Sequence, residues 1–184
     1  MTIYLSLQKK SNLSNSRKSI FGICPKSPKT LSEWKFCSHY RFGFDIWGVI
    51  IFLVVMLPTC LWCVVPVPVD VLRVESVTPI VDAIGMVFQI LLIAALCCVV
   101  NNERGKLRLS PIIILSIVCV LLYFVGWAFY YFGVATPLVI LLMTVPPCVA
   151  LQLFALDRQN LPAVVCALGF TICHLIFAIV NFMM

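Results

Sequence analysis

The sequence predicts an all-α fold: a polytopic membrane bundle of about five transmembrane helices, N-terminus cytoplasmic and C-terminus outside. Three observations predict it. Apolar residues make up 62% of the chain and charged residues only 11%, where a soluble domain carries roughly 25% charged residues. Beyond residue 41 the chain reads as five apolar runs, each of 20 or more residues, and at about 1.5 Å per residue such a run reaches the roughly 30 Å hydrocarbon thickness. Finally, Lys and Arg collect on alternate sides of those runs.

The runs are expected at about 43–65, 79–100, 111–132, 137–156 and 162–183. Their Val, Ile and Phe content would favour strands in water. In hydrocarbon every backbone N–H and C=O needs an internal partner, so each run must be helical. Thr78-Pro79, Ser110-Pro111 and Thr136-Pro137 each place a capping hydroxyl before a proline at the first helical position, a start signal with a mechanism. Asn160 before Leu161-Pro162 is expected to do the same for the fifth span.

Short connections make sequential helices antiparallel neighbours. Residues 66–78, with Pro66, Pro68, Asp70, Arg73 and Glu75, read as an extended exposed loop. Residues 101–110 read as a polar, basic turn, Gly133 as a tight reversal, and Asp157 to Asn160 as the last turn. Twelve of the 13 Lys and Arg lie in the N-terminal tail and the second and fourth connections, which places those sides in the cytoplasm. The aromatic run Trp127, Phe129, Tyr130, Tyr131 and Phe132 falls at the opposite boundary, where amphipathic rings favour the headgroup region.

Residues 1–41 hold Lys9, Lys10, Arg17, Lys18, Lys26, Lys29, Lys35 and Arg41 against a single acid, Glu33. No sustained hydrophobic period runs through them, so a largely disordered basic tail is expected. Its partner would be anionic lipid headgroups, at about 1 kcal/mol per basic residue near the surface. Nucleic acid is not expected as a partner, because no basic face continues into the remaining chain. The Ser-rich, acid-poor composition equally fits an organelle transit peptide, or a stretch translated from a start upstream of the true one. The next methionine, Met56, already lies within a span.

Two sets of residues are candidates for chemistry. Cys60 and Cys63 form a C-x-x-C at the outer end of the first span, a spacing that can exchange electrons when one thiol has a lowered pKa. A membrane thiol oxidoreductase also needs a second outward cysteine pair, and the outer connections contain none. The plain alternative is two small apolar residues one turn apart. Gln89 and His174 fall near the middle of the second and fifth spans. Polar groups are costly at that depth and read by default as functional, with an interhelical hydrogen bond of about 1 kcal/mol as the alternative. Thr144 and Gln152 flank Pro146-Pro147 in the fourth span, where a proline-broken helix could expose carbonyls to a binding cavity. Pro58 is expected to kink the first span.

Asp82 in the first turn of the second span is accounted for by the helix dipole, and Asp45 by an interfacial pair with Arg41 at i−4. Gly85, Gly126 and Gly169 can bring helices close together. No phosphate-binding loop, hydrolase elbow, zinc spacing or paired carboxylates occur, so neither metal nor cofactor is expected.

The segment Phe42-Gly43-Phe44-Asp45-Ile46-Trp47-Gly48, followed by Pro66-Val67-Pro68-Val69-Asp70, resembles small multi-span bacterial integral membrane proteins of uncharacterised function. The resemblance covers residues 42–184, leaves the tail without a counterpart, implies a cell-membrane location and brings no activity. The function expected is therefore that of a non-catalytic membrane component or accessory subunit, with another membrane protein as its partner. A small transporter or channel subunit is the alternative, and a thiol–disulfide redox protein using Cys60 and Cys63 is the third reading.

Overall fold

The computed structural model describes residues 40–73, 75–101 and 109–183. Its five long helices are α1 (Ile46–Val64), α2 (Pro79–Cys98), α3 (Pro111–Tyr131), α4 (Pro137–Asp157) and α5 (Leu161–Phe182), and all are long and apolar enough to cross a membrane. Two short strands, β1 (Tyr40–Phe42) and β2 (Val99–Asn101), pair antiparallel. The pairing puts Tyr40 opposite Asn101 and Phe42 opposite Val99. It explains two boundary differences: α1 starts three residues later than expected and α2 stops at Cys98, because the flanking residues form this ribbon. Tyr40 and Arg41, assigned by sequence to the tail, are strand residues. The rest of the tail lies outside the described residues, as does most of the basic turn.

The helix starts follow their capping chemistry, with one exception. Ser110 accepts from Ile113 N at 3.2 Å, Thr136 from Val139 N at 3.4 Å and Asn160 from Ala163 N at 3.1 Å. Thr78 makes no such cap. Its hydroxyl contacts Asp82 Oδ1 at 3.3 Å and accepts from Asn181 Nδ2 at 3.0 Å, so it joins α2 to the end of α5 instead.

α3 packs along α4, α4 along α5, and α5 along α2, while α1 leans on the others with much less contact. α4 is the central helix: 61% of its membrane-length window is buried, against 17–33% for the other four. It runs unbroken from Pro137 to Asp157 through Pro146 and Pro147, a correction to the broken helix expected there. Gly126 allows α3 to approach α4, since a Cβ there would lie 3.0 Å from Leu142 Cβ. Ser116 donates to the Ala150 carbonyl of α4 at 2.9 Å. Gly48 brings α1 so near α2 that a Cβ would overlap the Leu96 carbonyl oxygen.

Each end of the bundle is tied by a polar network. At one end Asp45, the N-cap of α1, takes the Arg158 Nε and guanidinium NH2 on its Oδ2, both at 3.0 Å, and both residues are buried. This replaces the Asp45–Arg41 pair expected from spacing: Arg41 lies on an exposed strand position, whereas the α4–α5 turn carries Arg158 to the α1 cap. Asn160 donates to the carbonyls of Ala95 and Val99 at 2.8 and 2.9 Å. Gln159, at φ 51°, presents its carbonyl to Tyr40 and Asn101.

At the other end Asp70 is the hub. Its Oδ1 accepts from Trp62 Nε1 at 3.2 Å and from the Tyr130 hydroxyl at 3.0 Å, and its Oδ2 pairs with Arg73 at 2.7 Å. The loop that carries it contains a 3-10 turn at Val71–Arg73. The aromatic run therefore divides. Trp127 and Tyr130 turn inward, at 6% and 0% exposure, while Phe129 and Phe132 face out. Both inward rings pack inside the bundle, and the Tyr130 hydroxyl finds a polar partner there in Asp70.

Candidate functional site

A cavity of roughly 370 Å³ lies between the helices, and all five contribute to its wall. α1 supplies Thr59 and Trp62, α2 Gln89, α3 Tyr123 and Trp127, α4 Thr144 and Pro147, and α5 His174 and Ala178. Most of the remaining lining is aliphatic or aromatic. The cavity follows from the packing order: α3 packs on α4, α4 on α5 and α5 on α2, while α1 packs much more lightly on the rest.

The proline in α1 shapes one side. Pro58 has no N–H, so the carbonyl of Val54 loses its intrahelical donor. At the next residue the Tyr123 hydroxyl from α3 reaches the Val55 carbonyl at 3.1 Å, with Thr59 Oγ1 at 3.3 Å. This bond ties the middle of α1 to α3 and orients a phenol at the cavity wall. Tyr123, Trp127 and Tyr130 then continue along α3 in edge-to-face contact, an arrangement aromatic pairs favour.

Three of the four residues singled out for binding meet here. Gln89 and His174 line the cavity together with Thr144. The His174 ring stacks between Phe170 at 5.0 Å and Phe177 at 6.4 Å, which leaves its nitrogen edges to carry polar contacts. Neither Gln89 nor His174 forms a hydrogen bond with the described residues, so the interhelical bond offered as the alternative is not what positions them. The Thr144 hydroxyl donates to the Ile140 carbonyl at 2.8 Å. Gln152 is not part of this group: its amide bridges α4 to the Val164 carbonyl of α5 at 3.4 Å.

A second recess of roughly 290 Å³ adjoins the first and shares Gln89, Phe170, His174 and Phe177 with it. Asp82 and Gly85 complete part of its wall. Asp82 was accounted for by sequence as a dipole-favoured first-turn acid; its share in a recess with His174 and Gln89 depends on the antiparallel packing of α2 on α5, which spacing alone does not give. Trp127 was likewise missed. Its Nε1 is buried and forms no hydrogen bond; the Tyr123 hydroxyl lies nearby but outside hydrogen-bond geometry.

Cys60 and Cys63 are free thiols on the outward side of α1, away from the cavity. Cys148 is the cavity cysteine, buried on α4. Comparisons with protein-family models, with curated proteins and with solved structures return no match to this chain.

Proposed function

We propose that this chain is a non-catalytic multi-pass membrane protein, located in the cell membrane, that binds a small and largely apolar molecule between its helices. The observation that carries the reading is the cavity of about 370 Å³ reached by side chains from all five helices. Space of this kind forgoes packing worth roughly 24 cal/mol per Å³, so a bundle that keeps it has a use for it. A cavity of about 150 Å³ holds one benzene ring, and by that measure this one suits a body of about three fused rings. Apolar walls with a few converging polar groups are the usual composition of a ligand pocket, and Gln89, His174 and Trp127 Nε1 are polar groups left over from the protein's own bonding.

Movement of the bound molecule across the membrane is the second reading. It is favoured by α1, which touches the other helices lightly along its length and contains Pro58.

The test uses 9-anthracenemethanol, a neutral three-ring probe, with detergent-solubilised protein. Trp62 and Trp127 serve as energy donors to the anthracene. A saturable transfer signal is expected. Ala178→Leu, which fills the cavity wall at a residue 1% exposed, should abolish saturation, whereas Leu121→Ala on the exposed face of α3 should retain it. A linear, non-saturating signal in the parent protein would refute the reading.

A further inference from the structure

The two recesses share one wall, and the charges around that wall are one-sided. Asp82 is the charged side chain among the described residues lining either space. Among the described residues its carboxylate forms no ion pair; its polar contact is the Thr78 hydroxyl on Oδ1 at 3.3 Å. The first turn of α2 favours a negative charge there. No Lys or Arg occurs within the five helices. The two guanidiniums of the connections that the structure describes, Arg73 and Arg158, are engaged by Asp70 and Asp45.

Depth places the groups in series. Asp82 is three residues, or about 5 Å, along α2 from its start, and Gln89 is about 15 Å along it. His174 stands on α5 beside them, stacked with Phe170 and Phe177, which line the same recess. A carboxylate, an amide oxygen and an imidazole form a setting for an ammonium group. An anion would meet repulsion from Asp82, and no Lys or Arg among the described residues lines either recess to offset it. The larger cavity, which shares Gln89 and His174 with this recess, is lined mostly by aliphatic and aromatic side chains.

We propose that the molecule bound is a monocationic amphiphile, an alkyl- or arylammonium, with its charged head between Asp82, Gln89 and His174 and its apolar body in the central cavity. This rests on the reading that the cavity binds a ligand, and it adds the charge and the orientation.

Three probes of one ring system test it at pH 7, with the protein in nanodiscs of uncharged phosphatidylcholine: 9-(methylaminomethyl)anthracene as the cation, 9-anthracenemethanol as the neutral form and 9-anthracenecarboxylate as the anion. The cation should bind about tenfold more tightly than the neutral probe, the size of one charge-assisted contact, and the anion more weakly still. In Asp82→Asn the ratio of cation to neutral affinity should fall to about one, and Asp82→Glu should restore the preference. Equal affinities for cation and anion in the parent protein, which need no variant to fold, would overturn the proposal. So would a ratio unchanged in monodisperse Asp82→Asn. Saturable neutral binding without charge preference would sink this proposal alone. Absence of saturable binding by every probe would remove the cavity reading as well.

Discussion

Asp45 and Arg158 sit 113 positions apart in sequence and share a buried ion pair in which Asp45 also caps α1 through Trp47 N at 3.1 Å. Breaking one side of such a pair leaves a charge buried and unpaired, at about 3–5 kcal/mol. Arg158→Met is therefore expected to lower the thermal unfolding midpoint of the solubilised protein strongly. Asp45→Asn combined with Arg158→Met should recover much of the loss, because the amide oxygen still caps α1 while the stranded charge is gone. A single variant as stable as the parent would contradict the buried pairing. The pairing was not legible from spacing. Arg41 at i−4 was the obvious partner for Asp45, and only the three-dimensional return of the α4–α5 turn brings Arg158 closer. Gln89 and His174 were legible as polar residues at membrane depth, since cost alone marks them. That Asp82 joins them was not, because helix rotation and pairing decide which side of α2 faces α5.

Helices were the most readable part of the molecule. α2 and α3 begin at the residues their proline signals mark, and α4 ends at Asp157, within a residue of expectation. The solvent explains this accuracy: hydrocarbon leaves the backbone one bonding pattern, so length and apolarity suffice. Helix pairing is a matter of small residues and is harder to read. Gly85, Gly126 and Gly169 were recognised as contact positions, and Gly48 was not, although the approach at Gly48 is the tightest to a neighbouring backbone. Gly48→Ala is expected to push α1 from α2, costing about 1–3 kcal/mol as an overpacked contact. Gly43→Ala, where a Cβ would meet Val100 Cγ2 at an ordinary 3.4 Å, should be tolerated. Thermal unfolding of the two variants side by side checks the pair; equal midpoints would show that the α1–α2 approach is not constraining.

At the level of the whole molecule, orientation rests on charge bias. The end holding Asp45 and Arg158 is expected in the cytoplasm and the end holding Asp70 outside. A C-terminal alkaline phosphatase fusion in a bacterial host should then be enzymatically active, and a C-terminal green fluorescent protein fusion dark. The reverse pattern would invert the molecule, and entry to the Asp82 recess would face the opposite compartment. The cavity itself could not be read from the chain. It is a property of how all five helices pack together, and no single segment encodes it.

The enclosure of α4 has a consequence for how the chain is made. In the finished protein 61% of its membrane-length window is hidden, yet its mean hydropathy there is 2.2, close to the 2.4 of α1 and α2. During synthesis α4 leaves the ribosome before α5 exists to cover it. It must enter the bilayer on its own apolarity and be wrapped afterwards. Its oily character therefore records a passing encounter with lipid during birth, and this is why the most sheltered helix cannot drift toward the polar composition that its final neighbours would tolerate.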